Sequence, residues 1–189
     1  MTAVPPPVTR RPLHRRAFDV QVFARDDGLF DVEASLSDIK PHDVQLAGSP
    51  RRAGEPIHEM RLCLTVDATL TITSATSETL WMPYVDACRE HGDAYARLAG
   101  LNLMKGFRQA VQERLAGTRG CTHLTELCLV LPTAVIQAMA GSVIDTREGD
   151  AGGTPPFQLD RCHALRRDGA TVAQFYPRWH LPDPVATAS

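Results

Sequence analysis

The chain has 189 residues, enough for one ordinary domain with tails. Apolar residues make up 43% and charged residues 22%, and 20 basic against 22 acidic side chains leave a formal charge of −2. These values exclude a wholly disordered, collagenous or membrane-embedded chain, and they supply no global field that would attract nucleic acid or an anionic membrane.

Residues 1–15 read as a flexible basic arm, because Pro5, Pro6, Pro7 and Pro12 exclude helix and the arginines keep the segment solvated. The arm has no apolar stretch behind its arginines, so it does not read as a secretory signal. Residues 16–36 form the first expected hairpin. Phe18, Val20 and Val22 alternate with polar residues, Asp27-Gly28 supplies a tight turn, and Phe30, Val32, Ala34 and Leu36 resume the alternation. Residues 37–56, rich in Pro and Gly, read as loop. A second hairpin is expected over 57–75. Met60, Leu62, Leu64 and Val66 share one face, Asp67-Ala68 forms the turn, and Leu70 and Ile72 alternate with threonines.

The period then lengthens to about 3.6. Tyr84, Cys88, His91, Tyr95 and Leu98 trace one helical stripe between Pro83 and Gly100. Leu101, Met104, Phe107, Val111 and Leu115 trace a second, closed by Gly117. A third starts near Cys121 and continues through Leu124, Leu127, Cys128, Leu131, Val135 and Met139, with Pro132 expected to kink or split it. Residues 141–156 read as loop, and Asp168-Gly169 as a turn between short strands. Strands first and helices after predict an α+β fold: an antiparallel sheet of two N-terminal hairpins packed against three or four C-terminal helices. The expected organisation is one domain over 16–179, with a disordered tail over 180–189. No dinucleotide, P-loop, nucleophile-elbow, zincin or EF-hand motif occurs.

Chemistry concentrates in Cys/His pairs. Gly120-Cys121-Thr122-His123 places Cys121 and His123 in the first turn of a helix, where free N–H groups and the helix dipole favour a thiolate. Cys88 and His91 are spaced i, i+3 on an apolar helix face. Cys88, His91, Cys121 and His123 could together give four soft or borderline ligands for zinc or iron, in a structural or catalytic role. The bland alternative is that these cysteines and histidines only pack. Without a metal, Cys121 would act as nucleophile or acid/base, with His123 or His58 as its partner, and Arg119 or Arg89 would clamp a small organic acid for hydrolysis or isomerisation. His58, on the Met60 and Leu62 face, is a candidate general base. Cys162-His163 is a third pair, of which one member at most faces a given site, and Asp86 is an available orienting carboxylate. A non-enzymatic scaffold, dimeric through exposed strand edges, is the remaining reading. Five cysteines, an odd number in a chain large enough to fold without staples, favour reduced thiols and a cytoplasmic setting.

The runs DDGLFDVEASLSDIK, AGEPIHEMRLCLTVD, MPYVDAC, RGCTHLTEL and YPRW, in that order, resemble a bacterial family of unknown function. That resemblance covers most of the chain and implies no particular substrate. More loosely, the chain is similar to the NifU-like iron–sulfur scaffold family, which implies an α+β fold with Cys88 and Cys121 meeting at helix starts.

Overall fold

The computed structural model describes residues 8–149 and 153–181. Of the expected arm, 8–14 are exposed and lack regular structure and Arg15 already belongs to a strand, while positions 1–7 of the arm and 182–189 of the expected tail lie outside the described residues. The chain divides into two compact units, one up to Val135 and one from Ile136.

In the first unit, β1 (Arg15–Ala24) and β2 (Phe30–Ile39) form a hairpin about the Asp27-Gly28 turn, as the alternation and turn chemistry predict. A two-residue ribbon, β3 (Val44–Gln45) with β4 (Pro50–Arg51), precedes β5 (Pro56–Val66), which pairs with β6 (Ile72–Trp81). β2 and β5 are also paired, giving a four-stranded antiparallel sheet in the order β1-β2-β5-β6. Register makes one face apolar. Leu36 lies opposite Met60, Ala34 opposite Leu62 and Val32 opposite Leu64, and all six are buried. The helices follow in sequence: α1 (Phe107–Leu115) buries Phe107, Val111 and Leu115, and α2 (Thr122–Met139) buries Leu124, Leu127, Cys128, Leu131 and Val135. The fold is α+β.

Several elements differ from expectation. β2 runs on to Ile39, and β3 and β4 lie where only loop was expected. β6 extends to Trp81, well beyond Ala75. The helix expected over Tyr84 to Leu98 is replaced by two 3-10 turns, Ala87–Arg89 and Ala94–Leu98, because Gly92 adopts φ +53 between them. The next helix starts at Phe107 instead of Leu101. The main chain at Gly100, Leu101 and Leu103 is bonded to Ile72 and Leu70 at the start of β6, which holds that stretch out of helix. Pro132 does not split α2, whose flanking stripe of Cys128, Leu131 and Val135 is buried on both sides of it.

α2 is also the one helix among the described residues long and apolar enough to cross a bilayer by length and composition. Yet 44% of it is buried in the protein, and a core helix passes the same test.

The second unit starts with the last turn of α2. The Asp145 carboxylate accepts the N–H groups of Arg147, Glu148 and Gly149. A 3-10 turn at His163–Leu165, a short helix α3 (Ala170–Phe175) and a 3-10 turn at Pro177–Trp179 follow. Asp168-Gly169 leads into α3 and does not link two strands, since no partner strand exists there for either flank among the described residues.

Leu62→Ala, in the middle of the buried face, is expected to cost about 2–5 kcal/mol. Cys63→Ser, on the exposed face one residue along, should stay within about 0.5 kcal/mol. Urea unfolding of both variants tests the assigned register, and a reversed ranking would contradict it.

Candidate metal centre

The apolar face of the sheet ends in a polar rung. Two residues beyond Leu36, Asp38 lies opposite Arg16 of β1 and opposite His58 of β5. Alternation therefore puts all three side chains on the core face, and Asp38 is only 2% exposed. Arg16 grips the carboxylate with a fork, its Nε donating to Oδ1 at 2.8 Å and its Nη2 to Oδ2 at 2.7 Å. The remaining Arg16 nitrogen, Nη1, donates to Glu126 on α2 at 2.6 Å. His14 Nε2, at the end of the arm, lies 3.0 Å from Oδ1, and His58 Nδ1 lies 3.1 Å from Oδ2.

The first turn of α2 brings His123 to the same place. Its Nε2 is 3.6 Å from Asp38 Oδ2, and its ring lies over that of His58 with centroids 3.9 Å apart and a 31° tilt. The helix start is anchored from beneath. The Tyr95 hydroxyl donates to the Cys121 carbonyl at 2.7 Å and lies 2.9 Å from the Thr125 hydroxyl. Gly120 must lack a side chain here, since a Cβ would come within 2.8 Å of the Leu115 carbonyl oxygen and 3.0 Å of the Tyr95 hydroxyl.

Charge states follow from this packing. Burial pushes the Asp38 carboxyl up, but the Arg16 fork, the Arg16 charge and the neighbouring histidines together outweigh it and hold the group below its ordinary 3.8. Burial pulls His58 below its ordinary 6.5, against the opposing pull of Asp38. Burial, with the charges of His58 and Arg16, does the same to His123. At neutral pH the cluster is one carboxylate and two neutral imidazoles with lone pairs to offer. Ligand atoms of Asp38, His58 and His123 all lie within 4.8 Å of one another, and no other His/Cys/Asp/Glu trio among the described residues does so.

Of the four expected ligands, only His123 belongs to this trio. Cys121 is its neighbour, with Sγ 3.9 Å from His123 Nδ1, on the opposite edge of the ring from Asp38. Cys88 and His91 form no such group with Cys121 and His123, because Gly92 breaks the helix that would have carried them. His91 instead bonds through Nδ1 with the Gly92 carbonyl at 3.0 Å and sets its ring edge-on to Tyr95. Cys162 is exposed, Arg119 is tied to the Gln112 carbonyl, and Asp86 opens a short 3-10 turn. The Cys128 thiol is pushed up to about 12 by burial and is structural. The residues missed from sequence are Asp38 and Arg16. Carrying the alternation of β2 one step past Leu36 would have found the first, and counting back across the Asp27-Gly28 turn the second.

These features define an α+β domain with a buried carboxylate–histidine cluster at one end of its sheet. The chain belongs to the DUF2889 family, proteins of unknown function, which it matches over residues 14–137. No curated protein and no solved structure matches it. The NifU-like likeness has no counterpart among these findings.

Arg16→Met strands a buried carboxylate and is expected to cost about 3–5 kcal/mol in chemical denaturation. Glu126→Gln, at the exposed end of the same network, should cost less than about 1 kcal/mol. Because Asp38, His58 and His123 all bind protons more weakly folded than unfolded, the unfolded chain takes up more protons in acid. Stability should therefore be complete above the ordinary histidine value of 6.5 and fall progressively below it. Urea midpoints between neutral and acid pH check this; a midpoint that rises on acidification contradicts it.

Proposed function

We propose that the chain binds a divalent transition-metal ion, zinc or iron, through Asp38 Oδ2, His58 Nδ1 and His123 Nε2. The observation that carries this reading is spacing. Ligands about 2.1 Å from a tetrahedral ion stand about 3.4 Å from one another. The two separations from Asp38 Oδ2, 3.1 and 3.6 Å, bracket that edge. Arg16 Nη2 occupies one lone pair of Oδ2, and a carboxylate oxygen has a second to give. The ion would replace whichever proton lies between His58 and Asp38. One carboxylate and two imidazoles suit zinc or ferrous iron better than calcium or magnesium, which prefer all-oxygen sites.

Three protein ligands leave at least one position for water or substrate, the pattern of catalytic centres more than of closed structural ones. When bound, the ion would supply an activated water or polarise a substrate oxygen. The residues of this chain would then orient the site. Arg16 holds the carboxylate plane through its fork on Oδ1 and Oδ2. A small organic acid remains the substrate class that we favour, in a cytoplasmic protein. A second reading, thiol chemistry by Cys121 with His123 as its base, is favoured by their 3.9 Å contact.

Protein purified without chelator should carry about one equivalent of zinc or iron per chain, falling to about a tenth or less in His58→Gln with the fold retained. Native protein that stays below about a tenth of an equivalent, even after zinc is supplied, sinks the metal reading. Alkylation of Cys121 by iodoacetamide no faster than a free thiol sinks the second.

A further inference from the structure

The second edge of the His123 ring faces sulfur. Cys121 Sγ lies 3.9 Å from His123 Nδ1 and 3.8 Å from Met60 Sδ. Three side chains from two distant segments thus gather a thiol, a thioether and an imidazole nitrogen around the Cys121 sulfur. Met60 is 1% exposed on the core face of β5, whereas Cys121 is half-buried at the start of α2. The group is dry on the thioether side and reachable on the thiol side.

For a three-coordinate ion about 2.3 Å from sulfur and about 2.0 Å from nitrogen, planar geometry sets sulfur atoms about 4.0 Å apart and sulfur about 3.7 Å from nitrogen. The separations of 3.8 Å from Met60 and 3.9 Å from His123 lie close to the two edges that meet at the Cys121 sulfur. Soft sulfur ligands suit Cu(I), zinc and iron–sulfur clusters, and because zinc is held by thiolate, imidazole and carboxylate, the thioether in this group points to Cu(I). We propose that Cys121, Met60 and His123 Nδ1 form a binding site for Cu(I), back to back with the Asp38 cluster. Binding forms a copper–sulfur bond to Cys121 as the thiol proton passes to water, and no electron is transferred. With Cu(I) on Nδ1, the His123 Nε2 proton points at Asp38 Oδ2, 3.6 Å away. That supplies the carboxylate–histidine–metal arrangement that steadies many ligating imidazoles. The site does not need an ion on Asp38 and His58; it shares only the ring of His123 with that reading.

The test uses the full chain with Cys63, Cys88 and Cys162 changed to serine, so that the exposed and half-exposed thiols do not compete. Anaerobic Cu(I) is titrated against bicinchoninate, and copper-edge X-ray absorption reads the ligands. About one Cu(I) per chain is expected, in a shell of two sulfurs at about 2.3 Å and one nitrogen at about 2.0 Å. Met60→Leu, close in volume, should remove one sulfur from the shell and weaken binding by about tenfold or more. Cys121→Ser should abolish it. A shell lacking the second sulfur, or binding unchanged by Met60→Leu or Cys121→Ser, overturns the proposal, and the spectrum of the Met60-containing chain decides even where a variant fails to fold. His58→Gln separates the two readings: Cu(I) binding should survive it while zinc binding is lost. Cu(I) on two sulfurs in a chain that takes no zinc would defeat the Asp38 reading alone.

Discussion

Asp38 stands almost dry at the end of the core face of the sheet, and a carboxylate there without partners would cost several kcal/mol or simply take up a proton. Arg16 prevents both outcomes. Its fork satisfies one lone pair on each oxygen, and its third nitrogen reaches Glu126 on α2. The same carboxylate gathers His14 from the arm, His58 from β5 and His123 from the helix start. Two opposing effects meet in this cluster. Desolvation works against every charge in it, and the Arg16–Asp38 pairing overcomes desolvation for the acid but not for the imidazoles. The outcome is an ionised acid beside two neutral bases, a state that water alone would not impose below about pH 6.5.

The helix start is the other half of the construction. Tyr95 is buried and bonds the Cys121 carbonyl and the Thr125 hydroxyl, while the absence of a side chain at Gly120 lets the tyrosine come that close. The first turn of α2 is thereby held where His123 can lie over His58. Because an imidazole offers a nitrogen on each edge, this one ring faces a carboxylate on one side and sulfur on the other. Oxygen and nitrogen donors suit borderline divalent ions and sulfur donors suit softer ones, so under the two proposals made above a single side chain would serve two different metal chemistries.

Much of the fold was legible because it rests on local periodicity. The alternation over Val32, Ala34 and Leu36, and again over Met60, Leu62 and Leu64, gave the strands, their buried face and the α+β class. The helix of Cys88 and His91 was overestimated for the same reason. Its apolar spacing is helical, but Gly92 takes a left-handed conformation that the spacing does not reveal. The cluster itself was only half visible. His58 and His123 stood out as residue types, whereas Asp38 looked like the start of a Pro/Gly-rich loop. What makes Asp38 special is a long-range fact, its pairing with Arg16 on one side and His58 on the other, and no window of neighbouring residues contains all three. Cys121 and Met60 are likewise 61 positions apart in sequence and meet only in the packed protein.

The tight turn between β1 and β2 carries a consequence out of proportion to its size. In an antiparallel hairpin the two numbers of each facing pair have a constant sum, so the connection from Ala24 to Phe30 dictates that 16 faces 38. Exchange of side chains within the loop leaves that arithmetic intact, provided Gly28 keeps its positive φ of 82°. Insertion or deletion of one residue does not, because a slip of one position turns each side chain of the shifted strand to the other face. The guanidinium would swing to the solvent side, and Asp38 would be left in the core with its charge unanswered. In length, though not in composition, the loop farthest along the strands from the cluster is therefore as constrained as the cluster itself.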